Sequence, residues 1–368
     1  MEKMTEQTAD LLKGNEALAL AAIRYGCDGY FGYPITPQSE VLETLMAEAP
    51  WETTGMVVMQ AESEPAAINM VYGGAACGRR VMTSSSGPGI SLKQEGISYL
   101  AGAELPALIV NVMRGGPGLG TIQPSQADYF QAVKGGGHGD YRLIVLAPAG
   151  VQDMADFVSL AFDLAFAYRV PAMILADGAI GQMMEKVTLP PWRRRLTAAE
   201  IAERYPWAAV GKPASRSRNV LTSLELDQAV MERKSLALQE RYARIEAAET
   251  RSEAYLTDDA EMLLVAFGSA ARIYRKTVDL ARQRGVRLGL LRPVTLWPFP
   301  TQAIARLVGQ VTSVLVVELN AGQMVEDVRL AAGGRVPVEH YGRLGGVVFS
   351  PDEILEAALS QWNKTNRK

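Results

Sequence analysis

Between residues 13 and 189 the chain alternates short apolar runs with longer stretches whose apolar positions recur at helical spacing. The apolar runs predict strands over 29–32, 56–60, 80–83, 107–113, 143–146 and 172–176. The intervening stretches predict helices over 15–25, 39–49, 64–74, 89–103 and 151–168, with Asn15 as N-cap of the first. Apolar strands each followed by a helix call for a parallel sheet covered on both faces. After Pro190-Pro191 the pattern changes, and residues 196–218 show weak periodicity. Residues 226–255 are rich in Glu, Arg and Ala, with Val230, Leu236, Leu238, Tyr242 and Ile245 at helical spacing. That pattern predicts a charged helix whose apolar positions pack across a domain boundary. A second α/β unit starts near Glu261, with strands over 262–267, 287–291 and 313–318 and helices over 270–284 and 322–332. The expected architecture is α/β: a first domain over 1–190, a linker with the charged helix over 191–256, and a smaller domain over 257–368.

Composition narrows the function. At 368 residues the chain exceeds what one core accommodates. A net charge of −3 leaves no basic footprint, so neither nucleic acid nor an anionic membrane is an expected partner. No apolar run is long enough to span a bilayer, and the first fourteen residues carry no basic-then-apolar leader. Cys27 and Cys77 are far apart in sequence and form no CxxC pair, so neither a zinc ribbon nor a self-contained iron–sulfur site is available. Two isolated thiols suit a reducing compartment, and the expected location is cytoplasmic.

Four segments at predicted strand ends carry polar chemistry. In Tyr33-Pro34-Ile35-Thr36-Pro37, two prolines stiffen a shelf that presents the Thr36 hydroxyl. Glu62-Ser63-Glu64-Pro65 puts Glu64 at a helix start, either as a capping carboxylate or as a hydrogen-bonding partner for a heterocyclic nitrogen. Thr83-Ser84-Ser85-Ser86-Gly87-Pro88-Gly89 reads either as a capped helix start or as a cradle for a polar ligand, and it lacks the lysine of a P-loop. Arg114 opens a glycine-rich loop, either as a surface charge or as a bidentate partner for a carboxylate. Ends of neighbouring parallel strands lie along one edge, where open α/β sheets bind ligands. Outside this group, Arg193 to Arg195 read as a solvated basic turn or an anion site, and His138 as a loop histidine. One acid, one cation and no metal cluster make half of an active site.

These four segments together resemble the α subunit of 2-oxoacid:ferredoxin oxidoreductases. The resemblance continues through Arg292-Pro293 to Pro298, Glu318-Leu319-Asn320-Ala321-Gly322-Gln323 and Gly342-Arg343-Leu344-Gly345-Gly346, and covers nearly the whole chain. It points first to the branched-chain (2-oxoisovalerate) type and next to the 2-oxoglutarate type. It implies a thiamine diphosphate pyrimidine-binding domain followed by a transketolase-C-like domain. The implied reaction is CoA-dependent oxidative decarboxylation of a 2-oxoacid to acyl-CoA and CO₂, with electrons passed to ferredoxin. Glu64 matches the glutamate that shares a proton with the pyrimidine nitrogen and so promotes loss of the thiazolium C2 proton. Tyr33, Pro34, Ile35, Ser86 and Gly87 fall on the cofactor side; Thr36, Pro37 and Arg114 fall on the substrate side.

The chain departs from a complete enzyme of this kind in two ways. It has no Gly-Asp-Gly segment for Mg²⁺ and diphosphate, and no cluster cysteines. The resemblance therefore implies a β subunit carrying the diphosphate and Mg²⁺ site, a γ subunit or domain, and a ferredoxin-like iron–sulfur subunit, with the isolated chain inactive. Two other readings compete: a thiamine-dependent dehydrogenase or transketolase-type subunit, and a non-catalytic scaffold or nucleotide-binding module.

Overall fold

A computed structural model describes residues 9–212, 214 and 216–366. Residues 1–8 of the expected first domain and 367–368 of the last lie outside the described residues. The larger sheet has seven strands in the order Thr295–Trp297, Ile144–Leu146, Ala172–Asp177, Leu108–Met113, Val81–Ser85, Gly29–Gly32 and Val57–Gln60. All pair in parallel except Thr295–Trp297, which runs antiparallel to its neighbour. Every residue of Leu108–Met113 and Ala172–Asp177 is buried, as strands covered on both faces require. From Gly29–Gly32 the chain first adds Val57–Gln60 on one side and then returns to build the sheet on the other. The topological switch point therefore lies between Gly29–Gly32 and Val81–Ser85, where the crevice of an open sheet forms.

A smaller sheet of five strands follows the order Val338–Gly342, Ser313–Glu318, Met262–Val265, Leu288–Pro293 and Ser252–Tyr255, the last antiparallel. The two units exchange edges. Ser252–Tyr255, from the expected linker, completes the smaller sheet, and Thr295–Trp297, from the expected second domain, extends the larger one. Buried polar bonds lock them together. Gln126 Nε2 donates to the Phe267 carbonyl (2.8 Å), Ser269 N–H donates to Asp177 Oδ2 (2.8 Å), and Asn320 Nδ2 donates to the Gln126 carbonyl (2.8 Å). Gly268 has φ +62°, and a side chain there would strike Gln126 and Asp177, so glycine is required on both counts.

Several local expectations change. The first helix is Gly14–Arg24, with Lys13 rather than Asn15 at the N-cap; Glu16 accepts the Lys13 N–H (2.8 Å), freeing Asn15 for a buried role. The charged helix is Gln228–Ala248, and it buries Tyr242 and Ile245 only, leaving Leu236 exposed. Leu238 packs half-buried against the core and Val230 is half-buried, so of the expected apolar series Leu236 alone is left to solvent. The arginines after Trp192 clamp the linker onto the first unit. Arg193 lies over the Tyr25 ring (4.8 Å), and Arg195 donates to Asp28 (2.8 Å) and to the Thr54 carbonyl (3.1 Å). Arg194 makes an exposed ion pair with Glu200. Cys27 is buried, whereas Cys77 is only half-buried. Among the described residues no helix is long and apolar enough to cross a membrane.

Candidate active site

The proline-rich shelf is held from beneath. The Pro37 carbonyl accepts from Asn15 Nδ2 (2.8 Å) and Gln182 Nε2 (3.0 Å), and Glu40 accepts from the same two amides. Buried Gln38 donates to the Tyr33 carbonyl (3.2 Å) and accepts from Ser84, whose hydroxyl lies 2.7 Å from Tyr30 Oη. Four of these side-chain hydrogen bonds fix residues 33–38, which have no regular structure of their own, and two anchor Glu40 on the helix Ser39–Glu48 that follows, leaving Tyr33, Pro34 and Thr36 exposed.

Most of the hydroxyl run belongs to a strand and not to the helix start that follows it. Thr83, Ser84 and Ser85 belong to Val81–Ser85 and are fully buried, and only Ser86 stands at the N-cap of the helix Gly87–Gly102. Nor does Glu64 cap its helix. Ser63 is the N-cap, accepting the Ala66 N–H, while Glu64 is buried and accepts no hydrogen bond from any described residue. The space it occupies exists because residue 89 is glycine. A Cβ at Gly89 would lie 2.1 Å from Ser85 Oγ and 2.7 Å from Glu64 Oε1.

Arg114 joins the shelf to this cradle. Its guanidinium donates to the Thr36 carbonyl (3.0 Å) and the Leu119 carbonyl (3.0 Å), and a Cβ on Gly87 would lie 3.7 Å from it. Asp128 sits behind it, accepting from Asn111 Nδ2 (2.9 Å); burial pushes its carboxyl up, while Asn111 and Arg114 counter that shift. The structure thus brings Thr36, Pro37, Ser86, Gly87, Glu64 and Arg114 to one edge of the sheet. His138 does not join them. It is exposed and packs edge-on against Tyr99, ten residues along the helix from Gly89, about 15 Å by axial rise. The Arg114 loop also meets the glycine-rich loop of the second unit, where Gly115 and Gln123 approach Gly345 and Gly346.

Buried polar atoms without partners collect here: Thr83 Oγ1, Ser85 Oγ, Ser86 Oγ, Lys93 Nζ, Asn111 Oδ1 and Arg114 Nε. Each such atom costs about 1–3 kcal/mol unless something satisfies it, which is the mark of a ligand site. A free buried carboxylate, backbone approachable through glycines and several unspent hydroxyls form a donor set that fits an aminopyrimidine ring. A crevice of about 640 Å³ opens alongside, with Pro88, Leu92, Pro117 and Leu119 as apolar walls and Arg114 and Asp128 as its charged lining residues. Among the described residues no group of three or more His, Cys, Asp or Glu could hold a metal ion.

Residues 20–254 match the family model for the thiamine diphosphate-binding domain of pyruvate flavodoxin/ferredoxin oxidoreductase, and 260–354 match core domain II of pyruvate:ferredoxin oxidoreductase. The ketoisovalerate oxidoreductase subunit VorB of Methanothermobacter thermautotrophicus is 51% identical over 94% of this chain and 96% of that protein. The chain belongs to the 2-oxoacid:ferredoxin oxidoreductase family. The 2-oxoglutarate synthase subunit KorA of the same organism is 37% identical over 97% of this chain and 99% of its own length. A solved 2-oxoglutarate:ferredoxin oxidoreductase from Magnetococcus marinus, described with 2-oxoglutarate, coenzyme A and succinyl-CoA bound, superposes with a TM-score of 0.82 at 26% identity. That match covers 96% of this chain and 65% of the longer one. The chain is thus an oxidoreductase subunit built on a thiamine diphosphate-binding fold, the family and role that the resemblance implied.

Sequence reasoning missed Lys93, Asn111, Asp128 and the apolar wall residue Leu92. Lys93 carried a readable signal. Helical spacing from Ile90 to Ile97 places it on the buried stripe of its helix, where a lysine is rare.

Proposed function

We propose that this chain forms the pyrimidine-side and substrate-side half of a branched-chain 2-oxoacid:ferredoxin oxidoreductase. Glu64 receives the aminopyrimidine ring nitrogen and shares a proton with it, while Tyr33, Pro34, Ile35, Ser86 and Gly87 line the cofactor. Bound thiamine diphosphate supplies the carbon nucleophile and holds the electrons left when CO₂ departs. Arg114, already oriented by two backbone carbonyls, offers its unpartnered Nε and remaining N–H groups to the substrate carboxylate. The Thr36 hydroxyl and the edge of Pro37 hold the 2-oxo group. A partner β subunit supplies the diphosphate and Mg²⁺ site, a γ subunit or domain completes the assembly, and a ferredoxin-like subunit carries the iron–sulfur clusters. Coenzyme A takes the acyl group, and the complex works in the cytoplasm. Exposed Leu119, Ile122, Leu344 and Val347, on the two loops that meet beside the crevice, offer partners an apolar rim.

The observation that carries the substrate assignment is the crevice lining. Its walls are apolar, Arg114 is its one cation, and Asp128 would repel a second carboxylate. The two extra methyls of 2-oxoisovalerate relative to pyruvate are worth about 1.6 kcal/mol at roughly 0.8 kcal/mol per buried carbon, or about tenfold in kcat/KM. The assembled complex, assayed by 2-oxoacid-dependent viologen reduction, should prefer 2-oxoisovalerate to pyruvate by about that factor and to 2-oxoglutarate by more. A preference for 2-oxoglutarate would refute the assignment and favour the alternative type.

A further inference from the structure

Lys93 lies one helical turn beyond Gly89. It is fully buried, and its Nζ has no hydrogen-bond partner. It shares the buried stripe of the helix Gly87–Gly102 with Ile90, Gly96 and Ile97. A helical side chain leans back toward the N-terminus of its own helix, here toward Gly89, whose missing side chain leaves the room that Glu64 Oε1 and Ser85 Oγ occupy. Burial pushes the Lys93 ammonium down to about 8, and the Glu64 carboxylate acts against that shift. Other charges nearby are turned elsewhere. Glu95, on the same helix, is exposed and accepts from Tyr99; Asp128 is turned to Asn111 and Arg114; Arg114 donates to backbone carbonyls; Glu62 is exposed. The polar groups of the strand Val81–Ser85 are hydroxyls, and the other titratable group on the helix Glu64–Ala76, Tyr72, donates to the Leu221 carbonyl (3.2 Å).

We propose that Lys93 is the buried counter-charge of Glu64, a positioning residue that keeps this carboxyl ionised until thiamine diphosphate arrives. The inference rests on the cofactor role given to Glu64 above. A buried carboxyl without a cation tends to its neutral form. It then brings its own proton to the ring nitrogen. A carboxylate balanced by Lys93 has none to bring, so the shared proton comes from solvent as the cofactor binds. The charge at position 93 is therefore readable as protons taken up on binding.

The test titrates the assembled, thiamine-free complex with thiamine diphosphate and Mg²⁺ by calorimetry at neutral pH, in buffers of different ionisation enthalpy. Lys93→Arg keeps the charge and Lys93→Met removes it at similar length; Lys93→Gln replaces the methionine variant if that one does not assemble. The Lys93→Arg complex should take up about one proton per site more than the Lys93→Met complex. Equal uptake by the two would overturn the counter-charge role while leaving the cofactor role of Glu64 standing. A wild-type complex that binds no thiamine diphosphate would overturn both.

Discussion

Gly89→Ala tests the geometry of the cradle with a single carbon. Gly89 is the third residue of its helix and its φ is not positive, so alanine suits the backbone. The added Cβ would sit 2.1 Å from Ser85 Oγ, 2.7 Å from Glu64 Oε1 and 3.1 Å from Glu64 Cγ. The serine hydroxyl can rotate away, but the carboxylate must retreat by about 0.5–1 Å to restore ordinary contact distances. Alanine gains up to about 1 kcal/mol of helix propensity over glycine, which offsets part of an overpacking cost of about 1–3 kcal/mol. Net stability should therefore change by no more than about 2 kcal/mol, and assembly should survive. A misplacement of about 1 Å in a reacting constellation costs about 100-fold. Steady-state viologen reduction by the assembled complex should fall by about that factor, with weakened thiamine diphosphate binding and a melting temperature shifted by no more than about 8 °C. Turnover and cofactor affinity within about threefold of wild type would refute the claim that Gly89 sets the position of Glu64.

Glu64→Gln keeps the shape and removes the shared proton, so the assembled complex should lose most of its activity with its subunit composition intact by size-exclusion chromatography; near-normal rates would move the proton-sharing role elsewhere. Arg114→Lys cannot serve the Thr36 and Leu119 carbonyls and a substrate carboxylate together, and kcat/KM should fall by about 30–100-fold, mostly through KM. The Lys93 ammonium, lowered from 10.5 to about 8, costs the wild-type protein roughly 3 kcal/mol below pH 8. Because the unfolded chain holds this proton more tightly, wild-type stability in denaturant melts should rise as pH goes from about 8 to 10.5, and Lys93→Met should lose that rise.

The fold was legible where burial on two faces writes itself as unbroken apolar runs, as in Leu108–Met113 and Ala172–Asp177. It was less legible where polar groups are buried in pairs. Val81–Ser85 runs two residues past the apolar pattern because Ser84 finds Tyr30 and Gln38, partners 54 and 46 residues away that spacing cannot reveal. The short edge strand Thr295–Trp297 was invisible because its pairing with Ile144–Leu146 spans about two-fifths of the chain. Asn15 looked like a cap because local signals favour that use, yet its amide holds Pro37. The polar segments at strand ends, which the structure brings to one edge, were legible because turn chemistry is local. Lys93 and Asp128 did not, since what they do depends on which helix or loop covers them.

The location of the unpaired polar atoms also bears on why the chain needs partners. Elsewhere among the described residues the unpartnered buried polar atoms are scattered singly, as at Tyr242, Tyr274, Ser313 and Gln361, while the Gln126, Asp177 and Asn320 contacts lock the two units. Around Gly89, between Thr83 and Lys93, one ammonium and the hydroxyls of Thr83, Ser85 and Ser86 lie without hydrogen-bond partners. A stable monomer has no reason to keep so much unpaired polarity beside its own crevice, because each group offers a fraction of the protein's marginal stability if replaced. Its retention is explained if the missing hydrogen-bond partners belong to a cofactor whose other half is gripped by a different polypeptide. On that account the cost of the Lys93 charge below pH 8 and its effect on proton uptake at cofactor binding have one cause: the charge is costly to the chain alone and useful only once the shared site is complete.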